Sequence, residues 1–70
     1  MGRHEEAKRL YKEAEREYRE ALNLDPKNAS AHNNLGHLLG RLERHAESEK
    51  ECREAIEANP YYLVILTPEN

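Results

Sequence analysis

Between residues 5 and 24 the larger apolar residues and alanines recur at spacings of three and four: Ala7, Leu10, Tyr11, Ala14, Tyr18, Ala21 and Leu22. That period lines them along one stripe of an α-helix. The stretch contains no glycine or proline and is built mostly from strong helix formers. Its opposite face carries Glu5 with Arg9 and Glu15 with Arg19, each pair four apart and in the favourable order. Asp25-Pro26 ends the helix, because a residue before proline is pushed out of the helical region.

Asn28 or Ser30 is placed to cap a second helix, whose stripe is Ala31, Leu35, Leu38, Leu39 and Leu42. Gly36 lies inside that stripe at a cost of about 1 kcal/mol of helix propensity relative to alanine. A glycine there predicts the close approach of a neighbouring helix. The stripe loses phase at Glu43–Arg44, which predicts a turn. A third helix follows from about His45 to Ala58, with Ala46, Cys52, Ala55 and Ile56 inward, and Asn59-Pro60 ends it. The tail Tyr61–Leu66 is six apolar residues in a row, two of them β-branched and two aromatic. By composition it is expected to be a strand or an aggregation-prone segment. Thr67-Pro68-Glu69 reads as a stop or as the start of an unfinished helix.

The chain also repeats itself. Shifted by 34 residues, Glu13–Pro26 overlies Glu47–Pro60 with seven of fourteen positions identical, the prolines among them. Helix-rich composition inflates such matches but does not align prolines. A 34-residue period with two antiparallel helices per unit resembles the tetratricopeptide repeat (TPR). Leu35-Gly36 and Leu39 fit the family's first helix. Ser48, Cys52, Ala55 and Pro60 follow its small–aromatic–small–proline order except at Cys52, and Ala14, Tyr18, Ala21 and Pro26 follow it throughout. His32 stands where the family often has tryptophan, and Glu43 where its turn glycine sits. Met1–Ala7 resembles the inter-helix turn but matches Leu42–Ser48 at a shift of 41, not 34. The extra seven residues keep the stripe nearly in phase, drifting by only about 20°.

The resemblance implies an all-α fold: a TPR-like antiparallel helix hairpin plus one additional long helix, three helices in all, an α-solenoid fragment. Residues 1–60 form the helical domain. Within it, 1–28 is a second-type helix lengthened by about two turns and lacking its own first-type partner. Residues 29–62 are one complete repeat, and 61–70 are an apolar tail.

Composition narrows what such a chain can do. Seventy residues make one domain at most, with a core too small to be stable without help. Cys52 is the only cysteine, so no disulfide framework is possible. No apolar run approaches the ~20 residues of a membrane span, and no secretory signal opens the chain. The net charge of −3 argues against nucleic acid. All of that excess lies in residues 29–70, which hold four basic and seven acidic side chains against seven of each in 1–28. A cytoplasmic location is expected from the lone thiol.

Chemistry finds little purchase. His32 and His37 are five apart, off the geometry of a helical ligand pair, and His45 with Cys52 lacks the further ligands of a structural zinc site. The histidines are expected at the solvated rim and Cys52 as a small core residue. The carboxylates are expected on solvated faces, with none isolated in an apolar pocket for acid–base work. No catalytic residue, metal or cofactor is assigned.

Binding remains. In the family, first-type helices line a groove for peptides, and the matching stripe here is Ser30, Asn33, Asn34, His37 and Arg41. Asn34 matches one asparagine of the family's carboxylate clamp, but the clamp's basic partners are absent. The other surface comprises Leu10, Tyr11 and Tyr18 on the first helix and Tyr61, Tyr62, Leu63 and Ile65 in the tail, suited to self-association. The expected function is a non-enzymatic protein–protein interaction or assembly module, with a protein or peptide partner and a homo-oligomer, a dimer, as its form. The alternative is a peptide-recognition module using the stripe of helix 30–42.

Overall fold

The computed structural model describes residues 2–66, with side chains described for 2–63. Four helices run in order: α1 (Gly2–Leu24), α2 (Ala29–Arg41), α3 (His45–Ala58) and α4 (Tyr61–Leu66). Helix α1 has 23 residues and begins at Gly2, three positions before the expected start. Helices α2 and α3 form an antiparallel hairpin, and α1 packs along α2.

Each connection has a local cause. After α1, the Asp25 carboxylate accepts from the Lys27 N–H at 3.3 Å. Asn28, not Ser30, caps α2, its Oδ1 accepting from the Ala31 N–H at 3.0 Å. At the far end of α2, the Arg44 N–H donates to the Leu39 carbonyl at 2.9 Å and the Glu43 N–H to the Gly40 carbonyl at 3.0 Å. That pair of bonds is a Schellman motif, which needs a left-handed residue just past the cap. Glu43 supplies it, with φ 63°. The residue standing in for the family's turn glycine therefore adopts the glycine conformation.

The tail departs from expectation: 61–66 is helix α4, not strand. The reason is local. The Asn59 side chain accepts from the Tyr61 N–H at 3.1 Å, and Pro60 stands immediately before the first helical residue, where its missing N–H costs nothing. Asn59-Pro60 ends one helix and also starts the next. Thr67, Pro68 and Glu69 lie outside the described residues.

The core is small. Leu35 and Leu39 are fully buried, joined by Leu38, Ala31 and Ala55. Tyr11, Ala14, Tyr18 and Leu22 of α1 close over the leucines. At the hairpin contact, a Cβ placed on Gly36 would stand 2.8 Å from Cys52 Sγ and 3.3 Å from the Ser48 carbonyl oxygen. Glycine here is a steric requirement, as its place in the stripe predicted. Three inward assignments on α3 change. Ala46 is exposed, because the first turn of α3 adjoins the turn out of α2. Cys52, at the hairpin contact, and Ile56 are half-buried and not fully inside the core.

Candidate functional site

A groove of about 300 Å³ runs between α1 and α2. Tyr11, Ala14 and Tyr18 line it from α1, and Asn34, His37, Leu38 and Arg41 from α2. The helical period explains the grouping: residues 34, 37, 38 and 41 are three or four apart and turn toward α1, as do 11, 14 and 18 from the other side. One wall is apolar and aromatic; the opposite rim carries an amide, an imidazole and a guanidinium.

This divides the expected peptide stripe. Asn34, His37 and Arg41 are exposed at the rim and share one opening. Ser30 and Asn33 do not line it. Ser30 is exposed elsewhere on α2, and Asn33 is half-buried, its Oδ1 buried with no hydrogen-bond partner among the described residues.

The expected self-association residues form two patches. Tyr11 and Tyr18 are half-buried in the groove, with Leu10 beside them 53 % exposed. On α4, Tyr61 is 64 % and Leu63 52 % exposed, and Tyr62 is half-buried. The Tyr61 and Tyr62 rings meet edge to face at 6.3 Å. The side chain of Ile65 lies outside the described residues.

An ion network steadies one end of the site. Arg44 donates to Glu15 at 2.9 Å and to Glu47 at 2.6 Å, and Arg19 donates to Glu15 at 3.0 Å. Burial pushes the Glu15 carboxyl up, but bonds from Arg44 and Arg19 outweigh it and hold it below its ordinary value. The Arg44 hydrogen bond holds Glu47 low as well. Glu15–Arg44 joins α1 to the turn between α2 and α3.

Two polar side chains escaped the sequence reading. His32 is buried instead of rim-exposed, and Glu51 is a buried carboxylate, paired at 2.8 Å. The readable signal was Gly36. Once it sets α2 against Ser48, an antiparallel step of one turn brings position 32 opposite position 51. Burial and the nearby Glu51 charge raise the Cys52 thiol pKa, disfavouring the nucleophilic thiolate. Among the described residues, no group of three or more His, Cys, Asp or Glu is arranged to hold a metal ion. No helix among them is long and apolar enough to cross a membrane.

Comparison with known families gives two overlapping matches. A model described as TPR repeat matches residues 11–42, and one described as Tetratricopeptide repeat matches residues 29–62. Neither the curated proteins nor the solved structures gave a match.

Proposed function

The chain belongs to the tetratricopeptide-repeat family, and from that premise we propose that it is a non-enzymatic assembly module that associates with a second copy of itself. Repeats of this family are non-catalytic and mediate protein–protein interaction. The observation that carries the self-association reading is the groove between α1 and α2, which no described segment of the chain fills. It runs along two helices, a shape suited to a third helix about 10 Å across.

Energetics favour filling it. Among the described residues, only Leu35 and Leu39 are large side chains buried completely. A core of that size leaves a chain of 70 residues marginal. A second copy supplies the missing apolar contact through Leu10, Tyr11 and Tyr18, and α4 offers Tyr61 and Leu63 as further apolar surface. The lone, unactivated thiol of Cys52 suits a cytoplasmic setting.

Sedimentation and thermal melting over a hundredfold range of concentration test the proposal. The expected result is a mass above the monomer's at micromolar concentration and a melting temperature that rises with concentration. A folded monomer with a constant melting temperature overturns it.

A second reading is favoured by the rim. Asn34, His37 and Arg41 share one opening with Tyr11 and Tyr18, which suits a peptide carrying one apolar and one anionic group. A monomer that binds acidic peptides, and loses them on Arg41→Ala at unchanged helicity, would favour that reading.

A further inference from the structure

His32 sits where three segments meet: the turn after α1, α2 and α3. It and Glu51 are each only 8 % exposed. The imidazole Nε2 lies 2.8 Å from the Pro26 carbonyl oxygen, and Nδ1 lies 2.8 Å from Glu51 Oε1. A carbonyl oxygen only accepts, so Nε2 carries a hydrogen. A neutral ring protonated there presents a lone pair at Nδ1. That lone pair would face a carboxylate lone pair at 2.8 Å, which is repulsive. A proton between the two atoms turns the contact into a bond.

We propose that His32 and Glu51 hold one shared proton in the folded chain, so that closing the α2–α3 hairpin takes up a proton and rising pH loosens it. Neither residue alone makes the device: Pro26 selects the hydrogen on Nε2, and Glu51 demands the second on Nδ1.

The charges facing the ring are mostly negative. Glu54, Glu57 and Lys27 line a cavity of about 150 Å³ with His32, Pro26 and Ala58. With Glu51, that makes three carboxylates from α3 against one lysine from the turn, which favours a positively charged ring. Burial alone pushes the imidazole pKa down, but the bonds to Glu51 and Pro26 outweigh it and the net direction is up. A group raised in the folded state contributes fully below its unfolded value, here 6.5, and that contribution is lost as pH rises through the folded value. One proton taken up on folding changes the folding constant by at most about tenfold per pH unit.

The test uses the whole chain at one low concentration, so that association is held fixed. Long-range proton–nitrogen NMR correlations report the His32 ring directly, and denaturant unfolding at pH 6.5, 7.25 and 8 reports stability. At pH 7 both ring nitrogens should be protonated, and the folding constant should fall several-fold across the series. Glu51→Gln offers an amide N–H to a neutral Nδ1, so that variant should lose most of the pH dependence. A neutral His32 ring at pH 7 in the unaltered chain overturns the proposal, as does an unchanged pH dependence in Glu51→Gln. If Glu51→Gln does not fold, the NMR signature of the unaltered chain decides.

Discussion

Ser48 Oγ donates a 2.7 Å hydrogen bond to the Gly36 carbonyl, joining α3 to α2 where the two helices come closest. A serine that satisfies itself on the neighbouring backbone can sit inside a packed contact without an unpaired hydroxyl. The small residue and the missing Cβ act together, since Gly36 admits both Ser48 and Cys52. Gly36→Ala therefore trades about 1 kcal/mol of helix propensity for overpacking of about 1–3 kcal/mol. Chemical denaturation should show a net loss of about 1 kcal/mol. Gly40→Ala meets only Ser48 Oγ, at an ordinary 3.5 Å, and should be neutral or stabilising by up to about 1 kcal/mol.

Glu43 holds a left-handed backbone that glycine adopts without penalty. Glu43→Gly should raise stability by up to about 1 kcal/mol, with the Schellman bonds of Glu43 and Arg44 intact. Thermal melting checks the gain, and amide exchange at Arg44 checks the bond. A loss of stability would mean that the side chain of Glu43 contributes more than its backbone conformation costs.

Asn28→Ala removes the side-chain acceptor for the first turn of α2 and should cost about 1 kcal/mol. Ser30→Ala should cost almost nothing, because Ser30 is an exposed position inside the helix. Comparing the two by denaturation separates the cap from a mere polar neighbour.

Glu15 titrates in the direction opposite to His32. Its carboxyl is held below the ordinary 4.5, so its contribution is present above that value and lost as pH falls through the lower folded one. Glu15→Gln should cost up to about 1 kcal/mol at pH 7 and progressively less toward pH 3. An equal loss at both pH values would show that the Arg19 and Arg44 bonds do not depend on its charge.

Leu10 is exposed on α1, so Leu10→Glu should leave the helicity and stability of the lone chain close to unchanged. If a second copy covers this face, the substitution should weaken association roughly tenfold, from the loss of about 1–2 kcal/mol of apolar burial. Sedimentation at several concentrations measures it. An unaltered association constant would place the contact elsewhere, with α4 the next surface to vary.

The three long helices were legible because their signals are periodic and redundant. The leucines of α2 and the stripe of α1 lie where a spacing of three and four puts them. Gly36 announced a close contact because few other reasons keep a glycine inside an apolar stripe. The tail misled because six apolar residues in a row have no period, while the deciding signal lay just upstream in Asn59-Pro60. The groove was half legible. Asn34, His37 and Arg41 share the expected polar stripe, but its apolar wall comes from α1, and nothing local says which residues of two helices face each other.

By itself, the chain's pattern determined the 34-residue repeat, the all-α class, the helix ends at the prolines and the glycine contact. These are local or periodic properties, set by dihedral limits and by the need to bury one face of each helix. Tertiary structure alone decided which polar groups leave water. His32 and Glu51 lie 19 positions apart and look like surface residues one at a time. Their burial is tolerable only as a pair, with Pro26 as the third member, because an unpaired polar group in that place would cost more than the packing returns.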